Sequence, residues 1–190
     1  MCRYEAVAFV FGLLGVALTV LESVWCWPVG LVNVALLAVV FWNSRLYADA
    51  GLQVVYLGLC LYGWWAWLHG GAGGGALRIS RTPRRALLGL LGLGACFGAF
   101  LGLLLGRATD AALPFWDAAT TSFSLVAQWM QARKWLENWM LWIAVDVAYV
   151  GIYLAKHLYL TAGLYASFVA LAVLGLREWT RAAGRARAAF

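Results

Sequence analysis

The sequence predicts an all-α integral membrane protein of seven transmembrane helices in a 3+1+3 arrangement, with two parallel three-helix repeats. Three observations predict it. Charged residues make up 12% and hydrophobic residues 65% of the 190, against roughly 25% charged in a soluble domain. Seven apolar runs approach the ~20 residues a helix needs to cross a bilayer. Finally, a shift of 112 positions superimposes the two ends of the chain without a gap, with Trp27 on Trp139, Leu46-Tyr47 on Leu158-Tyr159, Ala50-Gly51-Leu52 on Ala162-Gly163-Leu164, Gly63 on Gly175 and Trp67 on Trp179. Tyr56 on Phe168 and Glu5 on Asp117 are similar pairs. This is an internal repeat. Three spans alone would leave the second copy inverted, and a fourth between them restores its direction. One membrane domain therefore covers residues 1–190, with repeat 1 at about 5–68, a linker helix at about 85–106 and repeat 2 at about 113–179.

In order, the spans are expected at about 5–22, 27–43, 46–68, 85–106, 113–132, 135–154 and 157–179. The first continues into the second with no small-residue cleavage site between, unlike the short apolar core of a secretory signal. The second opens at Trp27-Pro28-Val29-Gly30, with proline where a first helical turn tolerates it. The third starts at Arg45-Leu46-Tyr47-Ala48-Asp49 and ends in the aromatic run Tyr62-Gly63-Trp64-Trp65-Ala66-Trp67. Residues 70–85, glycine-rich then basic, form the one long loop before the fourth span. Pro114-Phe115-Trp116-Asp117 opens the fifth.

Basic residues set orientation. With seven spans one side receives Arg3, Arg45, Arg107 and Lys156, and the other receives the remaining 10 of the 14 Lys and Arg residues. The excess marks the cytoplasmic side, so the N-terminus is expected outside and the C-terminus inside. The net charge of +6 resides in these loops, which argues against nucleic acid as a partner. Cys2, Cys26, Cys60 and Cys96 show no metal-site spacing, and neither a disulfide nor a metal is expected. His69 and His157 sit at span edges without a nucleophile elbow or His-Glu-x-x-His pattern, which excludes the usual hydrolase chemistries. With no phosphate-binding loop, ATP drive is not supported and no cofactor is expected.

The candidate site lies in the sixth span. From Trp135 to Tyr153, the residues Trp135, Asn138, Trp139, Trp142, Asp146, Tyr149 and Tyr153 fall along one helical face. A carboxylate within a span is costly to hold and marks a functional site by default. The alternatives are that Trp135 and Tyr153 are interfacial anchors and that Asp146 pairs with another helix. Substrates of parallel-repeat transporters lie near mid-membrane between repeats. Asn33 plus 112 falls one position from Asp146, which sets two polar residues across the pseudo-axis at similar depth. Gln53 and Gln128, each within an apolar run, either line that space or hydrogen-bond a neighbouring helix. A membrane enzyme would need a nucleophile with a base, or a metal cluster. A structural protein would need no polar mid-membrane face.

The run Arg133-Lys134-Trp135-Leu136-Glu137-Asn138-Trp139-Met140-Leu141-Trp142 resembles the sixth-span signature of the Pnu-type bacterial vitamin transporters. So do Pro114-Phe115-Trp116-Asp117, Leu46-Tyr47-Ala48 with Leu52-Gln53, and the Tyr62–Trp67 run. The resemblance spans nearly the whole chain and is most specific at Glu-Asn-Trp-x-x-Trp. It implies a fold related to the sugar-transporting SWEET proteins, a homotrimer in the bacterial cytoplasmic membrane, and facilitated diffusion of an unphosphorylated vitamin trapped by a separate cytoplasmic kinase. It further implies an aromatic substrate site at Trp139 and Trp142, with Asn138 beside them and amides such as Asn33 and Gln53 around. Some members have Asn where this chain has Asp146. Nicotinamide riboside is the expected substrate, with thiamine the alternative. Both are flat cations suited to an indole face and to Asp146 as counter-charge. Uncharged riboflavin fits less well, and a lone mid-membrane acid leaves proton coupling open.

Overall fold

A computed structural model of the chain describes residues 3–43, 45, 47–108, 113–155 and 157–188. Seven α-helices follow in order: α1 (Arg3–Val20), α2 (Cys26–Asn43), α3 (Tyr47–His69), α4 (Arg84–Ala108), α5 (Pro114–Ala132), α6 (Asn138–Ala155) and α7 (Tyr159–Ala188). Leu46 and Lys156, used in the repeat and in the charge count, lie outside the described residues. Among the described residues, α2, α3, α4, α6 and α7 are long and apolar enough to cross a membrane. The apolar stretch of α1, Val7–Val20, is shorter. Into α5, Thr120, Thr121, Ser122, Ser124, Gln128 and Gln131 bring polar groups, three of them (Thr120, Ser122 and Ser124) buried and the others partly so. Two boundaries differ from expectation. Helix α7 runs past the apolar stretch to Ala188, because helix and membrane need not end together. Helix α6 starts at Asn138 rather than Trp135.

The second difference has a local cause. Lys134 adopts φ 49°, a left-handed conformation that ends α5, and the Trp135 N–H closes the turn on the Met130 carbonyl at 3.0 Å. Trp135 then joins the preceding loop through a bridge to Ser80 and is not on the α6 face. The turn after α1 is built alike, with Glu22 at φ 54° and the Ser23 N–H on the Leu18 carbonyl at 2.9 Å. Arg45 and His157 form a further left-handed pair at φ 60° and 57°. In both pairs the members stand 112 positions apart. Such 6→1 closures usually place glycine at the left-handed position, and each non-glycine residue there costs roughly 1–2 kcal/mol.

Packing repeats at the same spacing. Helix α1 packs on α2 and α2 on α3, α5 packs on α6 and α6 on α7, and the two groups meet where α1 touches α7 and α3 touches α5. Trp27 meets Trp67 edge-on at 5.4 Å and 88°, and Trp139 meets Trp179 at 5.4 Å and 87°. A Cβ at Gly63 would overlap the Trp27 indole, and one at Gly175 would overlap Trp139. The two groups are also tied crosswise: Trp67 Nε1 donates to the Gln131 carbonyl at 3.1 Å and Trp179 Nε1 to the Thr19 carbonyl at 3.0 Å.

Helix α4 stands apart, packed on the back of α5. Its buried Gly94, Gly98 and Gly102 recur every fourth residue, so the helices approach closely and Ser122 Oγ reaches the Gly94 carbonyl at 2.6 Å. The opposite face presents Leu93, Phe97 and Phe100 outward, as a lipid-facing or partner-facing surface does.

Candidate functional site

Between the two helix groups lies a cavity of about 540 Å³ lined by residues of α1, α2, α3, α5, α6 and α7 but none of α4. That volume is within the roughly 300–1,000 Å³ of small-molecule sites. Of the residues singled out in the sequence, Asn33, Gln53, Gln128, Trp139, Trp142 and Asp146 all line it. Asn138 does not. It is wholly buried at the first turn of α6, where its side-chain amide donates to the Trp135 carbonyl at 2.6 Å. An asparagine that opens a helix satisfies a nearby backbone group first; here the amide N–H serves the turn and Oδ1 is buried without a partner.

The two α6 tryptophans differ. Trp139 is 1% exposed, clasped between Trp179 and the Gly175 backbone, with its Nε1 unpartnered. Little of its ring is free to stack on anything else. Trp142 is only partly buried, and its Nε1 donates to Gln131 Oε1 at 3.0 Å. That bond fixes the indole plane while leaving ring surface toward the cavity.

Asp146 is 7% exposed, and among the described residues no Lys or Arg pairs with it and no hydrogen bond reaches it. A buried carboxylate without a partner is strongly disfavoured, which makes Asp146 the costliest group in the cavity wall. Among the described residues no Lys, Arg or His lines the cavity, whose other acid is Asp49 at the exposed end of α3. The amides add adaptable polarity. Asn33 Oδ1 is buried without a partner, Gln53 is buried, and Gln128 makes only a weak 3.8 Å contact to Cys60 Sγ.

Sequence reasoning missed part of the wall. Tyr165 joins Tyr149 and Tyr153 in a cluster with ring centroids 4.6–5.9 Å apart, and Gln131, Ser124 and Thr121 supply polar groups from α5. A signal for two of them existed. Tyr165 stands 112 positions after Gln53, and Gln131 stands 112 after Thr19, which also lines the cavity. Among the described residues no three His, Cys, Asp or Glu side chains are grouped as a metal site. The arrangement is one that binds: a flat aromatic surface, a negative charge and several polar groups around a space of metabolite size.

The profile of a family described as nicotinamide mononucleotide transporter matches residues 3–181. The nicotinamide riboside transporter PnuC of Escherichia coli is 32% identical over 204 residues, covering 94% of this chain and 85% of that protein. The riboflavin/roseoflavin transporter RibM of Streptomyces davaonensis is 30% identical over 178 residues, covering 92% of this chain and 83% of that one. The crystal structure of the vitamin B3 transporter PnuC superimposes with a TM-score of 0.75 at 22% identity, over 96% of this chain and 82% of that one. The overall fold is thus shared with a solved transporter.

Proposed function

The chain belongs to the nicotinamide mononucleotide transporter family, and we propose that it carries unphosphorylated nicotinamide riboside across the bacterial cytoplasmic membrane, binding it in the central cavity. One observation carries the substrate choice: Asp146 is buried, unpaired and at the cavity wall one helical turn from Trp142. A pyridinium supplies the missing positive charge and a flat face for the indole. The carboxamide and ribose suit Asn33, Gln53, Gln128 and the tyrosine hydroxyls, which offer both donors and acceptors. A mononucleotide would bring a phosphate into a wall whose described residues include one buried acid and no Lys, Arg or His. Charge also weighs against riboflavin.

The finer architecture is part of this proposal. Seven spans as 3+1+3, with α1–α3 and α5–α7 as parallel repeats and α4 as the linker, is supported by the matched left-handed turns, tryptophan pairs and crosswise bonds 112 positions apart. The count of basic residues supports an outside N-terminus and a cytoplasmic C-terminus. With no nucleotide-binding loop, the chain works by facilitated diffusion, a separate kinase trapping the product, and the apolar outer face of α4 suits a homotrimer. Uptake by purified protein in liposomes tests the substrate: nicotinamide riboside should enter and compete with itself, while thiamine, riboflavin and nicotinamide mononucleotide should enter poorly. Thiamine entering faster than the riboside would transfer the site to that cation.

A further inference from the structure

The cavity is unequally closed at its two ends. Toward the α2–α3 and α6–α7 turns it is lined by Phe41, Tyr153 and the exposed Asp49, so it reaches the surface there. At the opposite end four tryptophans form a continuous layer across both helix groups. Trp27 contacts Trp67, Trp67 lies 5.9 Å from Trp179, and Trp179 contacts Trp139. All four are at most 1% exposed, and neither Trp67 nor Trp179 touches the cavity. Beyond this layer the two left-handed turn residues meet, Lys134 Nζ lying 3.4 Å from Glu22 Oε2 and 4.3 Å from the centre of the Trp67 ring.

The two turns are held differently. The α5–α6 turn is strapped by the basic loop: Ser80 N–H donates to the Lys134 carbonyl at 3.1 Å, Leu136 N–H to the Ser80 carbonyl at 2.9 Å, and both Thr82 N–H and Thr82 Oγ–H donate to Glu137 Oε2 at 2.7 Å. Among the described residues the α1–α2 turn has no strap. Its backbone bonds are local, and its Leu21 and Trp25 side chains are 72% and 69% exposed.

We propose that the tryptophan layer is the gate on the basic side of the cavity, that Glu22 and Lys134 latch it shut, and that it opens by the α1–α2 turn swinging away from the strapped α5–α6 turn. The inference rests on the transporter reading, since only a carrier must open this end. The strap fixes one half of the gate, and the ion pair and the two crosswise tryptophan hydrogen bonds are the contacts that must break. Trp67 is held by Lys134 and by the Gln131 carbonyl, so release of the latch frees the layer from the same side.

Native thiols report the opening. Cys26 and Cys60 line the cavity, and a small membrane-impermeant methanethiosulfonate applied from the basic side reaches them only through the gate. In oriented vesicles, labelling of the Cys26 and Cys60 peptides should be slow in the wild type and several-fold faster in Glu22→Gln and in Lys134→Gln. It should return toward the wild-type rate in the charge-reversed pair Glu22→Lys, Lys134→Glu. Hydrogen exchange in Lys134→Gln should rise in the peptide covering residues 18–25 and not in that covering 130–137. Unchanged labelling in both single variants, faster labelling that charge reversal does not rescue, or exchange rising first in the α5–α6 turn would each overturn the proposal. None of these readouts requires substrate, so failed riboside uptake with latch-dependent labelling would reject the substrate and keep the gate.

Discussion

Replacing Asp146 with Asn keeps the size and hydrogen-bonding capacity of the side chain and removes its charge. Trp142 and Asp146 are four residues apart on α6, about 6 Å along the axis at ~1.5 Å per residue, so a ring stacked on the indole sits about that far from the carboxylate. At an effective dielectric near 20, opposite unit charges about 6 Å apart attract by about 3 kcal/mol. Desolvation offsets part of it. The expected result is at least a tenfold rise in Kd for nicotinamide riboside, with transport retained. The matched control is the reduced riboside, which has nearly the same shape but no ring charge, and whose affinity should change less than about threefold, since only the Coulomb attraction has been removed. Titration calorimetry on purified protein gives both numbers. An equal loss for the two ligands, or none for the cation, would refute the counter-charge role. Unchanged affinity with lost dependence of uptake on an imposed pH gradient would instead assign Asp146 to proton movement.

Trp142→Ala should weaken riboside binding by about 1–3 kcal/mol, the scale of a lost aromatic stacking partner, with the thermal transition near wild type. Trp139→Ala should do the reverse, lowering stability by about 3–5 kcal/mol as a buried large-to-small change, and a Trp139 variant as stable as wild type would show the indole is not held as a wedge. Phe at Tyr149, Tyr153 and Tyr165 together keeps the rings and deletes the hydroxyls, at about 0.5–1.5 kcal/mol per hydrogen bond lost. Competition assays should then show weaker riboside binding with free nicotinamide unaffected, whereas equal loss for both would place the sugar elsewhere. Reporter fusions at Met1 and Phe190 should report opposite sides of the membrane, and the same side for both would break the seven-span count.

Helix positions were legible because length and apolarity decide them, and the spans expected at 27–43, 85–106 and 113–132 fall within a few residues of α2, α4 and α5. The start of α6 was not. Trp135 has the right helical phase relative to Trp139 and Trp142, but phase carries no information about a left-handed residue just before it, and Lys134 is not the glycine that usually announces one. The repeat held the missing information, since α2 starts at Cys26 and α6 at Asn138, 112 positions later. Asn138 was misplaced for the same reason, as its side chain serves the turn that the sequence reading did not place. Trp139 and Trp142 look equivalent in sequence, and only the Gly175 slot separates a wedge from a stacking surface.

The spacing of 112 also says where the chemistry is, by where it fails. Positions that hold the helices together agree across it: Trp27 with Trp139, Trp67 with Trp179, Gly63 with Gly175, and the left-handed Glu22 with Lys134. Apart from Trp27 with Trp139 and the similar pair Tyr56 with Phe168, cavity positions do not. Gly30 corresponds to Trp142, Val34 to Asp146, Leu37 to Tyr149, Phe41 to Tyr153 and Gln53 to Tyr165, and all ten line the cavity. A small asymmetric ligand cannot present the same groups to both halves, so a binding wall between equal halves must diverge while their packing need not. Here the second half holds the partly buried Trp142, the buried acid Asp146 and the cluster of three phenols, and the first holds Asn33, Gln53 and Tyr56, with Asp49 at its exposed end. On the proposed reading, with Trp27 wholly buried and Asp49 at the exposed end, the ring and its charge bind on the α6–α7 side. Moving the acid across, as Val34→Asp with Asp146→Val, keeps the net charge of the cavity but takes the acid off the helix that carries Trp142. If proximity of the charge to that indole matters, riboside affinity should stay at least tenfold below wild type in the swapped protein; full recovery would show that the cavity needs only a negative charge, wherever it stands.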